Sequence, residues 1–253
     1  MVRVIVVSSG KGGVGKTTAV SNLAAALAGF GKKVVVIDAN LTTSNLGLHF
    51  GVPLNRPTLQ DVLKRKARLE QAIWTHPAGF KVIPADISVS KVMSAKPNQL
   101  LSVLNRILSD ADFVLIDSAA GLCQEALAAL KAADEVLVVT NPELPALTDA
   151  LKLIKFAEEY GTKNIGVVLN RVNGKSHEWS DEEVEKFLGA PVIARVSEDV
   201  AVQRAIAEKM PVVLHNPGSR AAREFKELAA RLAGIKFSSG PSWLYRLWGW
   251  LVR

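Results

Sequence analysis

Residues Ser9 to Thr18 read SGKGGVGKTT, behind the apolar run Val4-Ile5-Val6-Val7 and ahead of a helical pattern from Ala19 to Ala28. Strand, glycine loop and helix in that order make a phosphate loop, with Gly10…Gly15-Lys16-Thr17 at the required spacing. Glycines at 10, 12, 13 and 15 let the backbone take positive φ and bring its N–H groups close to an anion. The positive end of the following helix adds to the same place. Gly12, Gly13, Val14, Gly15, Lys16, Thr17 and Thr18 would wrap the phosphates. Lys16 would reach the outer ones, and the Thr17 hydroxyl would sit on Mg²⁺.

Outward from this loop, short Val- and Ile-rich runs alternate with helical patterns. Strands are expected at Val4–Val7, Val34–Ile37, Val82–Ile83, Val114–Ile116, Val136–Val139, Ile165–Leu169 and Val192–Ala194. Helices are expected near 16–30, 97–108, 123–132, 146–161, 181–188, 199–208 and 219–233. Runs apolar on both faces and separated by helices predict an α/β fold: a mostly parallel central sheet with helices on both faces. A chain of 253 residues, 49% hydrophobic, suffices for one such domain. A composition shift at Phe237-Ser238-Ser239-Gly240-Pro241 marks a linker. The expected organisation is a domain over 1–236, a linker over 237–241 and a tail over 242–253.

No apolar run approaches the roughly 20 residues that span a bilayer. The first strand starts at once, so no secretory leader is expected. The single cysteine, Cys123, excludes an internal disulfide and a Cys-X-X-Cys site, and it fits a reducing cytosol. It is expected as a small buried or half-buried hydrophobe. The formal charge of +7 favours anionic partners: phosphates, membrane surfaces or nucleic acid.

Two acidic strand ends follow the loop. Asp38 closes the second strand in Ile37-Asp38-Ala39-Asn40, and Asp117 closes Phe113-Val114-Leu115-Ile116-Asp117. The carboxyl ends of parallel strands are where ligand chemistry gathers. Both are candidate Mg²⁺ contacts with Thr17. A turn or cap role for Asp38 and a structural role for Asp117 are the alternatives.

The segment Lys11-Gly12-Gly13-Val14-Gly15-Lys16-Thr17-Thr18 resembles the deviant phosphate loop of the MinD/ParA group of ATPases. The similarity extends in order over about residues 3 to 215. It implies a P-loop NTPase fold with ATP and Mg²⁺ as cofactors, and an ATP-dependent homodimer in which Lys11 touches the phosphates held by the partner subunit. A solvated surface charge is the other reading of Lys11. The family carries Asp-X-Asp-X-X-X-X-Asn-Leu where this chain has Asp38-Ala39-Asn40 and Asn45-Leu46. The resemblance implies that Lys11, Lys16, Asp38 and Asn40 form the catalytic set, with Asn40 in place of a carboxylate that orients the attacking water. A carboxamide can hold a water through its oxygen but accepts no proton, so slow hydrolysis is expected. Gly121, in Ser118-Ala119-Ala120-Gly121, would let the backbone approach the γ-phosphate. Glu143, in Thr140-Asn141-Pro142-Glu143, would reach the partner's nucleotide, with a solvated helix-start acid as the alternative. Asn170 and Arg171, at the end of their strand, and Ser197 and Glu198 would border the base. Asp149 is either a site residue or a helix-start acid.

Residues Ser242–Arg253 read SWLYRLWGWLVR. At about 100° per residue, Trp243, Leu247 and Leu251 form one row, Leu244 and Trp248 the next, and Trp250 borders the first. Arg246 and Arg253 lie on the opposite arc. A wide tryptophan-rich face opposite cations marks a helix lying in a membrane interface. The resemblance covers this feature too. The alternative is a helix docked on the chain's own core or on a partner subunit.

The reading that unites these features is a MinD-like ATPase, cytoplasmic and peripheral on the inner face of the cell membrane. It would dimerise with ATP, hold an anionic membrane through paired tails and position other proteins, with an unidentified activator or cargo. One alternative is a ParA-like DNA-partitioning switch, which the tail's clustered Trp disfavours. Another is a metallochaperone-type relative, which the lack of paired Cys disfavours.

Overall fold

The computed structural model describes residues 2–86 and 100–237. The tail at 242–253, nearly all of the linker and the start of the helix expected over 97–108 lie outside the described residues.

All seven expected strands are present: β1 (Arg3–Ser9), β2 (Val34–Asp38), β4 (Lys81–Ile83), β5 (Phe113–Ala120), β6 (Glu135–Thr140), β7 (Lys163–Val172) and β8 (Val192–Ser197). They join an eight-stranded sheet of order β3-β4-β2-β5-β1-β6-β7-β8. The eighth strand, β3 (Trp74–Thr75), is the edge strand and runs antiparallel to β4. Two residues carry no periodicity, so sequence reasoning passes over it. Every other pairing is parallel.

Alternate side chains feed two cores. Val4, Val6, Ile37, Ile116 and Val138 face α3 (Leu59–Leu63), α4 (Leu69–Ala72), α5 (Leu100–Leu104), α6 (Gln124–Ala132), α7 (Leu144–Glu159) and α8 (Asp181–Leu188). Ile5, Val7, Val36, Leu115 and Val139 face α1 (Lys16–Gly29), α2 (Leu46–His49), α9 (Val200–Ala207), α10 (Val212–His215) and α11 (Arg220–Ala233). The one-turn helices α2, α3, α4 and α10 are too short to show a 3.6-residue period and were not expected. Over 97–108 the described part is α5 and then a separate 3₁₀ turn at Leu108–Asp110. The reason is local. The N–H groups of Arg106 and Ile107 donate to carbonyls three residues back, at 3.2 and 2.8 Å, which tightens the chain out of the α-helix.

Register places the site. Asp38 and Asp117 are Cα partners across β2 and β5, and Val7 is the partner of Asp117 across β1 and β5. The carboxyl ends of three central strands therefore open onto one edge, with the glycine loop among them.

Candidate nucleotide site

Between β1 and α1, Gly13 and Gly15 take φ of 80° and 94°, in the region that favours glycine. Positive φ was expected at four glycines, and two of them have it. Gly10 is needed for space instead: a Cβ there would lie 2.1 Å from the carbonyl oxygen of Asp149 on α7. Gly12 has open space and no positive φ. Gly15 is the N-cap of α1, and no side chain caps that helix. The first N–H groups of the helix, at Lys16, Thr17 and Thr18, thus remain for an anion. Gly12, Gly13, Gly15, Lys16, Thr17 and Thr18 line a cleft of about 430 Å³. Val14 is buried behind it.

Below the loop, Asp38 and Asp117 are 0% and 1% exposed. Lys16 Nζ lies 3.4 Å from Asp117 Oδ1. The Asp38 carboxylate accepts from Ser44 Oγ (2.6 Å), Asn40 N (3.1 Å) and Leu46 N (3.3 Å). Burial and the neighbouring Asp117 charge outweigh these donors and push the Asp38 carboxyl up to about 7. Two buried carboxylates on neighbouring strands, one of them paired with the Lys16 ammonium, make a hard oxygen donor set. A Mg²⁺ ion fits the deficit in positive charge.

Asn40 also lines the cleft. Its Oδ1 accepts from Thr43 N (3.2 Å) and Thr43 Oγ1 (3.0 Å), and its Nδ2 donates to Thr43 O (2.8 Å). A carbonyl oxygen has two lone pairs. Thr43 thus engages the oxygen through which a carboxamide would hold a water.

Toward the other end, a recess of about 60 Å³ shares Thr18, Arg171 and Ile206 with the cleft and is lined by Asn170, Ser197 and Glu198. Asn170 and Arg171 do not end their strand, as expected, because β7 continues to Val172. They occupy a register shift against β8, where Arg171 takes φ of 56°. Such a bulge re-aims side chains at a sheet rim. Asn170 Nδ2 donates to Val14 O at 2.7 Å. Arg171 Nε lies 3.7 Å from Glu198. Ser197 donates both N–H (2.7 Å) and Oγ (2.9 Å) to Glu224. Glu143, the N-cap of α7, and Lys11 are both exposed, whereas Gly121 (φ 75°) donates its N–H to Ser9 O. Asp149 pairs with Lys152 at 3.1 Å. Cys123, expected to be buried or half-buried, is exposed at the N-cap of α6. Its residue type is usually buried, but the cap position lies at the surface end of the helix.

Sequence reasoning missed Thr43, Leu48, His49, Ala120 and Ile206 in the cleft wall. Burial lowers the His49 pKa against the opposing pull of Asp117. His49 sits on one-turn α2, and no periodic signal could have pointed to it.

The chain matches the family described as AAA domain over residues 2–167. Over residues 93–242 it matches the 4Fe-4S iron sulfur cluster binding proteins, NifH/frxC family. Cluster chemistry does not carry over: a 4Fe-4S centre takes four thiolates, and this chain has Cys123 alone. Among relatives, an uncharacterized ATP-binding protein of Methanocaldococcus jannaschii is 44% identical over 235 residues, covering 93% of this chain and 89% of the relative. The septum site-determining protein MinD of Thermotoga maritima is 37% identical over 246 residues, covering 92% and 89%. The solved structure of septum site-determining protein MinD from Pyrococcus horikoshii, complexed with Mg-ADP, aligns with a TM-score of 0.89 at 36% identity, covering 94% of this chain and 100% of that one. ATP and Mg²⁺ are accordingly the cofactors of this site. The cleft, the paired carboxylates and these relatives lead to one conclusion: the chain belongs to the MinD/ParA family of P-loop ATPases.

Proposed function

We propose that this ATPase dimerises on binding ATP, associates reversibly with a membrane through its C-terminal residues, positions partner proteins there and hydrolyses ATP slowly. The observation that carries the reading is the contrast between the loop's lysines. Lys16 is buried against Asp117, whereas Lys11 is exposed and has no ion pair among the described residues. A cation that its own pocket does not neutralise is available to the phosphates of a facing subunit.

In this reading the loop's N–H groups and Lys16 hold the phosphates, and Thr17, Asp38 and Asp117 hold Mg²⁺. The bound ion would supply charge neutralisation on the phosphate oxygens. Asn170, Arg171, Ser197 and Glu198 border the base, and Glu143 serves the partner's nucleotide. Asn40 orients water weakly, since it takes no proton and its oxygen is held by Thr43. Residues 1–236 act as the ATPase domain, and 242–253 as a membrane helix carrying Trp243, Leu244, Leu247, Trp248, Trp250 and Leu251 inward, on the cytoplasmic face. One such helix binds weakly; two on a dimer gain on the order of 10²–10⁴ in avidity.

Mass by light scattering with ATP tests the switch. The native chain should pair and Lys11→Ala should not, while still binding ATP; normal pairing by Lys11→Ala overturns it. Sedimentation with vesicles of anionic lipid tests the tail. Pelleting should need both ATP and residues beyond Lys236, and equal pelleting with ADP, with ATP and without the tail sinks the membrane reading. A salt-sensitive, ATP-dependent shift of duplex DNA would favour DNA partitioning instead. Asn40→Asp should raise turnover about tenfold, a barrier change of about 1.4 kcal/mol.

A further inference from the structure

The loop 39–45, between β2 and α2, carries Asn40. Ser44 ties it to Asp38 and to Ala85 O (3.1 Å), and Gln60 Nε2 donates to Leu41 O at 3.4 Å. A third fastening runs to a different part of the site. Thr42 donates its N–H to Glu125 Oε2 (3.3 Å) and its Oγ1 to Glu125 Oε1 (2.5 Å). Glu125 stands in the first turn of α6, where the helix dipole favours a carboxylate. That helix follows the strand ending in Asp117-Ser118-Ala119-Ala120.

Asp38 and Asp117 are already partners in the sheet. The Thr42–Glu125 grip joins the two loops beyond them a second time. Thr42 is bonded directly to Thr43, whose N–H and hydroxyl hold the Asn40 oxygen. Position is thus passed from α6 through one peptide unit to the carboxamide. Glu125 is absent from the cleft wall, and its carboxylate is engaged by Thr42 rather than by Lys16.

We propose that Glu125 is a positioning residue for ATP hydrolysis, acting through Thr42 to set where Asn40 stands over the phosphate end of the cleft. The inference rests on the reading of Asn40 as the water-orienting residue. Because the grip lies at the surface, it restrains the loop without contributing to ATP binding.

Glu125→Ala and Thr42→Ala should each lower kcat about three- to tenfold, with the affinity for a fluorescent ATP analogue within about twofold of native. The double variant should be no slower than Glu125→Ala, which already removes both bonds, whereas Thr42→Ala keeps the backbone N–H bond. Thr42→Ser, which keeps the hydroxyl, should restore the rate. An unchanged kcat in Glu125→Ala, losses that multiply in the double variant, or a loss of ATP affinity equal to the loss of rate would overturn the proposal. Amide exchange over 39–45 reads the grip without turnover: faster exchange in Glu125→Ala is expected, and equal exchange in the two proteins overturns it. Should Asn40→Ala keep the native rate while Glu125→Ala slows it, the role given to Asn40 fails and the grip stands.

Discussion

At the phosphate end of the cleft, the polar groups are unmatched. The first N–H groups of α1 have no cap, and of two neighbouring buried carboxylates Asp117 is the one paired with Lys16. At the base end, the polar groups hold one another. Asn170 donates to Val14 O, Ser197 gives both its donors to Glu224, and Arg171 stands beside Glu198. The first end carries a deficit that a ligand and a cation relieve. The second is a finished structural network that a ligand can only lean on. Substitutions should therefore act on affinity at the phosphate end and chiefly on stability at the base end.

The largest test is Lys16→Ala. It removes the cation beneath the phosphates and leaves Asp117, 1% exposed, without its partner. ATP affinity by calorimetric titration should fall at least about a hundredfold, close to 3 kcal/mol. The nucleotide-free protein should lose about 3 kcal/mol of stability as well. Unchanged affinity would erase the contrast between the two ends.

Next comes pH. The Asp38 carboxyl rises from an ordinary 3.8 to about 7 on folding. Below the unfolded value it is protonated in both states and costs nothing. Between the two values the unfolded chain releases the proton that the folded chain keeps, so stability falls as pH rises and levels off above the folded value. The melting temperature of the nucleotide-free protein should drop from about pH 4 to about pH 7. Asp38→Asn should flatten that slope, and an identical slope in both proteins would show that the deficit lies elsewhere.

Asn170→Ala orphans the Val14 carbonyl and loosens the loop from the base-end wall. Loss of that bond should cost about 1.5 kcal/mol in denaturant unfolding, with ATP affinity falling no more than about threefold. Smallest of all should be Ser197→Ala. Its hydroxyl already donates to Glu224, so denaturant unfolding should show a loss of about 1 kcal/mol while ATP affinity stays within about twofold. A large affinity loss there would mean that the base end is not a closed network.

Legibility in the sequence follows the same division. The phosphate loop, Asp38 and Asp117 each sit at the end of an apolar run, where strand periodicity and local backbone chemistry mark them directly. Asn170 and Arg171 were placed one step wrong, beyond their strand, because a register shift between β7 and β8 has no local signature. His49 escaped notice because α2 is a single turn, and Thr43 because it lies in the aperiodic loop before it. Asn40 was recognised, yet the engagement of its oxygen by Thr43 depends on loop geometry that spacing does not reveal.

Alternating buried runs, the glycine spacing and the two acids that close apolar runs determined the α/β fold and the phosphate-binding chemistry, since each is written within a few consecutive residues. The tertiary structure alone decided which glycines need positive φ and which needs room against α7. It alone buried Asp38 and set it beside Asp117, which together raise its pKa, and brought Glu125 to Thr42 from 83 positions away. Burial, Coulomb interaction and hydrogen bonding depend on distance in space, which a linear chain acquires only when its strands find their register.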